Sequence, residues 1–88
     1  MDPVYWGYGT WLLIFMFIDT YKDDVEKLKK ILWIICNNLP CQDCVQHIRT
    51  SILSNNILSE TDYSRIRVFF IMVYNLFQEK HPTRKIEI

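Results

Sequence analysis

Two cysteines separated by two residues form the stretch of this sequence that is best suited to chemistry. Cys41 and Cys44 follow Pro40 directly, and Ile48 and Ile52 continue their spacing of three and four, which predicts a helix that begins at the pair. The first turn of a helix carries unpaired N–H groups and a partial positive charge, and both stabilise a thiolate. Because the thiolate is the form that attacks a disulfide, the pair indicates thiol–disulfide exchange.

Other uses of a CxxC pair fit the sequence less well. A structural zinc site needs about four ligands. His47, three residues after Cys44, could join the pair, but only Cys36 and His81 remain and both are badly spaced, so we predict no metal site. A thioredoxin-like pair lies in a βαβ unit, and this chain has no strong strand pattern. A chance pair of unreactive core cysteines is the remaining alternative to a helical dithiol/disulfide oxidoreductase. We expect Cys36 to be a passive packing residue, because free cysteines are often buried.

Length and composition favour one small domain with more apolar residues than its own core needs. The chain has 88 residues, and we predict a single domain over residues 1–88. Half of the residues are hydrophobic and 15% are aromatic, so part of the apolar surface is expected to meet a ligand or a second subunit. The formal net charge is zero, which argues against nucleic acid as a partner. The three cysteines are an odd number, unlike the even sets of disulfide-stapled secreted domains.

A membrane is expected to be at most a peripheral partner. The apolar run from Trp11 to Ile18 has eight residues, whereas a spanning helix needs roughly 20. The first residues also lack the basic segment and the small-residue cleavage site of a signal peptide. We therefore expect a soluble protein without a spanning helix.

Four helices are predicted to position the cysteines. Apolar residues recur at intervals of three and four, and short connections between four helices imply an antiparallel bundle. The predicted helices run from Pro3 to about Thr20, from Asp23 or Asp24 to Asn37, from Cys41 to Ser54, and from a capping signal at residues 59–62 to His81.

The first helix carries two glycines, Gly7 and Gly9, each of which costs a helix about 1 kcal/mol relative to alanine. We therefore expect a flat or bulky group to approach the backbone at these positions. Aromatic residues are candidates to sandwich the rings of a flavin, which would accept two electrons from a dithiol. On composition alone, the same stripe is better explained as ordinary core. These aromatic residues are Trp6, Trp11, Phe15, Trp33 and Tyr74.

Three short segments together resemble the pattern of one enzyme family over nearly the whole chain. The first holds Trp6-Gly7, Trp11 and Phe15, the second is P-C-Q-D-C-V-Q-H ending at His47, and the third is Y-N at residues 74–75. The matching family segments are W-G-R-x-x-W-x-x-x-H, P-C-x-x-C-x-x-H and H-N. By this likeness the chain is identified as a member of the Erv/ALR-type FAD-dependent sulfhydryl oxidases, closest to the short forms encoded by poxviruses and other large cytoplasmic DNA viruses.

The chain departs from the family pattern at several positions. Tyr8 stands where the family usually has Arg, Phe15 and Tyr74 replace two histidines that usually line the FAD, and Gln78 replaces a second Asn. The aromatic replacements can still stack on the rings of FAD. The family's second, shuttle disulfide is absent, and Cys36 alone cannot replace it.

The resemblance implies an all-α, antiparallel four-helix bundle that holds FAD at its mouth, with a short fifth turn near the C-terminus. It implies catalytic roles for Cys41 and Cys44, with Cys44 next to the flavin, and a phosphate contact from Arg84 or Lys85. His47 contacts FAD or tunes the thiolate; the alternative is a partly exposed histidine on the surface of the helix. The full set that the resemblance places at the cofactor is Trp6, Gly7, Trp11, Phe15, Cys44, His47, Tyr74, Asn75 and Gln78.

The implied reaction is the oxidation of thiols in a partner protein. A dithiol substrate or relay protein reduces the Cys41–Cys44 disulfide, and the electrons pass to FAD and then to oxygen, which gives hydrogen peroxide. The resemblance also implies a homodimer and a location in the host cytoplasm or the virion. The alternative function is a small helical interaction module whose cysteines only pack and which binds no cofactor.

Overall fold

A computed structural model describes residues 2–88 of the chain. Four helices account for most of it, and residues 2–88 contain no strand. The predicted all-α four-helix bundle is therefore confirmed. The elements are α1 (Pro3–Thr20), α2 (Val25–Asn37), α3 (Gln42–Ser54) and α4 (Tyr63–Lys80), with a 3-10 turn at Ile57–Ser59 between α3 and α4.

A side chain caps the N-terminus of each helix. The carboxylates of Asp2, Asp24 and Asp62 accept hydrogen bonds from backbone N–H groups in the first turns of α1, α2 and α4. Cys41 is the N-cap of α3, and its sulfur accepts from the N–H of Cys44. A side-chain cap of this kind contributes about 1 kcal/mol to helix stability when the acceptor is Asp, Asn or Ser. In α3 the capping atom is the sulfur of Cys41, whereas α1, α2 and α4 are capped by a carboxylate oxygen.

Helices α1 and α4 run antiparallel along their whole lengths. Near the end of α1, the carbonyl of Ile18 accepts a hydrogen bond from the hydroxyl of Tyr63 at the start of α4, at 2.8 Å. In the middle of α1, the ring of Trp11 lies 5.5 Å from that of Tyr74. At the start of α1, the ring of Trp6 lies 6.1 Å from that of Phe77. The two helices therefore meet through aromatic rings at the end of the bundle where α3 begins.

A buried lysine fixes the opposite end of the bundle. The ammonium of Lys29 on α2 donates to the carbonyls of Leu58 and Glu60, at 2.9 and 2.8 Å, and pairs with Glu26 at 2.8 Å. A buried ammonium is tolerated because its three protons all have acceptors. These bonds tie α2 to the connection between α3 and α4. The core between the helices is formed by Trp11, Ile14, Ile18, Leu28, Leu32, Cys36, Ile48, Ile52, Ile57, Ile66, Phe69, Phe70 and Tyr74.

The C-terminal residues differ from the short fifth turn that the family resemblance implied. Residues 82–88 have no regular secondary structure. Pro82 disfavours a helical conformation at His81, so α4 ends there. The segment is instead held by hydrogen bonds to α4 side chains, with the hydroxyl of Tyr74 accepting from the N–H of Ile86 at 2.9 Å. Within the described residues, no helix combines the length and the apolar character needed to cross a membrane.

The two glycines of α1 have different surroundings. A Cβ atom at Gly7 would lie 2.5 Å from Cζ of Phe77, so the flat group expected to approach the backbone is this ring. A Cβ atom at Gly9 would have no atom of another element within 4 Å, and Gly9 is exposed. The expectation of a close approach is therefore confirmed at Gly7, whereas at Gly9 it stays a prediction.

We predict that Gly7→Ala and Gly9→Ala have opposite effects on the free energy of unfolding. The ring of Phe77 is hemmed in by Trp6, Trp11 and His81, so a methyl group at position 7 should cost about 1–3 kcal/mol of stability. At position 9 the methyl group meets open space, and the higher helix propensity of alanine should add up to about 1 kcal/mol. Urea denaturation followed by circular dichroism measures both. Equal stability of the two variants would contradict the close packing at Gly7.

Candidate active site

Cys41 and Cys44 form a disulfide at the start of α3, with their Cα atoms 5.2 Å apart. Cys41 has an extended backbone as the N-cap, and Cys44 is the third residue of the helix. The N–H of Cys44 donates to the sulfur of Cys41 at 3.2 Å. After reduction this donor and the field of the helix N-terminus favour a thiolate at Cys41. The arrangement can thus accept and release electrons through a dithiol/disulfide pair.

A cavity of about 530 Å³ lies beside the disulfide, lined by residues of α1, α3 and α4 and of the loop before α3. Its volume falls in the range of roughly 300–1,000 Å³ that is usual for small-molecule and cofactor sites. Most of its wall is apolar, which suits a flat ring system. The apolar lining residues are Pro3, Trp6, Trp11, Ile14, Leu39, Ile48, Val73, Leu76 and Phe77.

The same cavity has a smaller polar lining. Lys80 and His81 come from the end of α4, and Asp43 and His47 come from the first turns of α3. Among the described residues that line the cavity, Lys80 is the only lysine or arginine. The complete polar and sulfur lining consists of Thr10, Cys41, Asp43, Cys44, His47, Ser51, Lys80 and His81.

The face of α3 that lines the cavity continues from the second cysteine. Cys44, Ile48 and Ser51 all belong to the lining and follow one another at intervals of four and three, so they share one face of the helix. Cys41 lies at the helix terminus, before the first turn. Cys44 therefore shares this face of α3 with Ile48 and Ser51, whereas Cys41 precedes the first turn as the N-cap.

Four residues of the set that the resemblance placed at the cofactor line this cavity: Trp6, Trp11, Cys44 and His47. His47 is exposed, and it follows Cys44 by one helical turn, so it faces both the cavity and the surrounding water. Both cysteines are half-buried. The structure thus brings these side chains together around one space, and their contact with a cofactor stays a prediction.

The other members of that set lie around the cavity and not in its lining. Gly7 packs behind the ring of Phe77. The rings of Phe15 and Tyr74 meet edge to face at 5.5 Å and both pack on Trp11, which belongs to the lining. Their contact with a cofactor also stays a prediction.

Two further members belong to α4. Asn75 is exposed, whereas the amide of Gln78 is used inside the protein. Its Nε2 donates to the hydroxyl of Tyr74 at 2.9 Å, and its Oε1 accepts from the N–H of Thr83 at 2.8 Å. The polar atoms of Gln78 are thus engaged with the C-terminal segment.

The phosphate contact expected of Arg84 or Lys85 stays a prediction. The guanidinium of Arg84 lies 5.2 Å from the ring centroid of Tyr8, and neither Arg84 nor Lys85 belongs to the cavity lining. Lys80 does belong to it, and sequence reasoning missed this residue together with His81. Helical spacing puts both residues about one turn after Phe77, but spacing alone does not show that the end of this helix borders the cavity.

The third cysteine has a quite different environment. Cys36 on α2 is fully buried in the core, with an exposed fraction of 0%. Burial raises the pKa of its thiol to about 12. Among the described residues, no three His, Cys, Asp or Glu side chains are grouped so that they could hold a metal ion. The packing role predicted for Cys36 agrees with this environment.

Comparisons with known proteins give consistent matches. A family model described as the E10-like protein conserved region matches residues 24–88. A probable FAD-linked sulfhydryl oxidase of fowlpox virus is 45% identical over 75 residues, which cover 85% of this chain and 80% of the relative. Proteins with the same description from variola virus and vaccinia virus are 36% and 35% identical over 77 residues, covering 85% of this chain and 81% of each relative. No solved structure gives a significant match.

We predict that the three cysteines of the reduced protein react very unequally with iodoacetamide. At pH 8 a thiol with a pKa of about 12 is ionised in only about one molecule in ten thousand, and Cys36 is also shielded. Cys41 and Cys44 should be alkylated within minutes, whereas Cys36 should react only after guanidinium unfolds the chain. Mass spectrometry of the labelled peptides measures this. Labelling of Cys36 in the folded protein at the rate of Cys41 would contradict its buried, protonated state.

Proposed function

This chain belongs to the family of E10-like proteins, and from that premise we propose that it is an FAD-linked sulfhydryl oxidase that forms disulfide bonds in partner proteins. The observation that carries the proposal is a disulfide in the wall of an aromatic-lined cavity at the mouth of a helical bundle. The descriptions of the viral relatives support the cofactor and the class of reaction. Oxygen as the final acceptor, hydrogen peroxide as the product and a homodimer are parts of the same proposal.

The residues of the cavity fit a flavin dinucleotide. The indole rings of Trp6 and Trp11 and the phenyl ring of Phe77 offer apolar faces to a flat ring system. Lys80 and His81 place two basic side chains at the same cavity, where they could bind an anionic group of the cofactor. Bound there, FAD would supply a two-electron acceptor beside the disulfide.

The first step of substrate oxidation falls to Cys41. A thiolate of the partner protein attacks the sulfur of Cys41, a bond forms between the two sulfurs, and the Cys41–Cys44 bond breaks with Cys44 leaving as a thiolate. Cys41 is suited to this attack because it is the N-cap of α3, before the first turn of the helix. Cys44 is suited to hold the released charge against the cavity wall, on the face of α3 that continues into Ile48.

The second step releases the product. The other thiolate of the partner attacks the partner's own sulfur in the mixed disulfide, so that the partner gains a disulfide and Cys41 leaves as a thiolate. The N–H of Cys44, which donates to the sulfur of Cys41, stabilises this leaving group. Two electrons have then moved from the partner to the Cys41–Cys44 pair, and two protons have left the partner's thiols. His47, one turn after Cys44, is placed to exchange a proton with water.

We predict that the purified protein is yellow with bound FAD, and that Trp6→Leu lowers its affinity for FAD by about tenfold or more because one aromatic face of the cavity is lost. The matched control is Trp33→Leu. Trp33 is also half-buried, but it packs under Arg49 at 5.7 Å and does not line the cavity. Titration of apoprotein with FAD, followed by flavin fluorescence, measures both affinities.

Two outcomes would contradict this prediction. Equal losses of affinity in Trp6→Leu and Trp33→Leu would show that general stability, and not the cavity wall, determines binding. A colourless protein that neither binds added FAD nor oxidises a small dithiol would favour the alternative function, a helical interaction module whose cysteines only pack.

A further inference from the structure

The C-terminal segment is tied to α4 by a compact set of hydrogen bonds. Oε1 of Gln78 accepts from both the N–H and the hydroxyl of Thr83, at 2.8 and 2.9 Å. The hydroxyl of Tyr74 accepts from the N–H of Ile86 and from Nε2 of Gln78, both at 2.9 Å. Tyr74 is buried, with an exposed fraction of 4%. The geometry of this segment is therefore fixed by side chains that are themselves held in place.

The same segment also contacts α1. A Cβ atom at Gly7 would lie 3.4 Å from the methyl carbon of Thr83. The guanidinium of Arg84 lies over the ring of Tyr8, with 5.2 Å between its carbon and the ring centroid. Ile86 packs against the hydrophobic core. Residues 83–86 thus reach from α4 to the N-terminal part of α1.

The part of α1 and α4 that this segment joins also forms the aromatic wall of the cavity. Trp6 and Trp11 come from α1 and Phe77 comes from α4, and all three line the cavity. The ring of Phe77 lies 6.1 Å from that of Trp6 and 5.9 Å from that of Trp11. Any change in the separation of the two helices would move these rings relative to one another.

We propose that residues 83–86 form a C-terminal bracket that sets the separation of α1 and α4 and so the width of the cofactor cavity. Tyr74 and Gln78 are then positioning residues, because their polar atoms bind the bracket and act on the cavity through it. The inference rests on the proposed function, since it assigns the bracket to the site that takes FAD. It gives Tyr74 and Gln78 a role that needs no direct contact with the cofactor.

The test measures FAD affinity and bracket attachment separately in the apoprotein. Tyr74→Phe keeps the ring on Trp11 and removes only the hydroxyl, and Gln78→Ala removes the tether of Thr83. Glu79→Ala is the matched control on α4, because Glu79 is exposed and does not line the cavity. Hydrogen exchange of the Ile86 amide reports attachment, and fluorescence titration reports the dissociation constant of FAD at a temperature where circular dichroism shows full helicity.

We expect Tyr74→Phe and Gln78→Ala to lose protection of the Ile86 amide and to weaken FAD binding by about tenfold, as the loss of one or two hydrogen bonds allows. Glu79→Ala should match the natural chain in both. Thr83→Val, which keeps a methyl group beside Gly7, should weaken binding less. Combined with Gln78→Ala it should add nothing, because both changes break the same contact.

Three outcomes would overturn the bracket. If Tyr74→Phe and Gln78→Ala lose protection of the Ile86 amide but bind FAD as tightly as the natural chain, the segment does not set the width of the cavity. Tighter FAD binding would show that the segment covers the site and is displaced by the cofactor. Equal weakening in Glu79→Ala would remove the specificity of the effect. If the natural chain itself binds no FAD, the proposed function fails first, and this result is distinguishable because it appears before any substitution.

Discussion

The close approach of the Phe77 ring to the backbone of α1 at Gly7 is the contact on which the rest of the site depends. No side chain fits between them, since even a Cβ atom would lie 2.5 Å from the ring. The ring therefore lies deep enough between α1 and α4 to meet Trp6, Trp11 and His81. Each such aromatic pair adds about 0.5–1.5 kcal/mol beyond the area it buries. This packing joins the two helices while leaving a cavity on the side that faces α3.

The disulfide lies at the same end of the bundle as these aromatic rings. Because α1 and α4 are antiparallel, the start of α1 and the end of α4 lie together, and α3 begins beside them with Cys41 as its cap. Cys36 shows what a different environment does to the same side chain. In the core its thiol stays protonated, with a pKa of about 12, whereas Cys41 receives an N–H donor at a helix terminus. Burial and helix position thus give Cys36 and Cys41 different environments, although the residue type is the same.

Much of this could be predicted from the sequence, because the signals were local. Pro3 and Asp24 marked helix starts, and the CxxC marked the start of α3. The close approach of a flat group at Gly7 was expected because a glycine destabilises a helix. The cavity residues on α3 after Cys44 follow from helical spacing alone.

The parts that could not be predicted depend on contacts between distant segments. The hydrogen bond from the N–H of Ile86 to the hydroxyl of Tyr74 joins residues twelve apart. The segment between α4 and Ile86 is irregular, so no periodic sequence pattern predicts this bond. Lys80 was missed for a related reason. Its place in the cavity depends on where α4 ends relative to α1 and α3, which is a property of the packed bundle. Family likeness pointed to Arg84 or Lys85, but Arg84 is engaged with Tyr8.

The most direct test of the central claim, a flavin held against the cavity wall that carries the disulfide, is the visible absorption spectrum of two variants loaded with FAD. Cys41→Ser leaves Cys44 as a free thiolate at this wall, and a thiolate beside an oxidised flavin gives a broad band at longer wavelength than the flavin's own. We predict this band in Cys41→Ser and its absence in Cys44→Ser. The band in Cys44→Ser alone would reverse the roles of the two sulfurs. Its absence from both variants, with FAD bound, would contradict the placement of the flavin in this cavity.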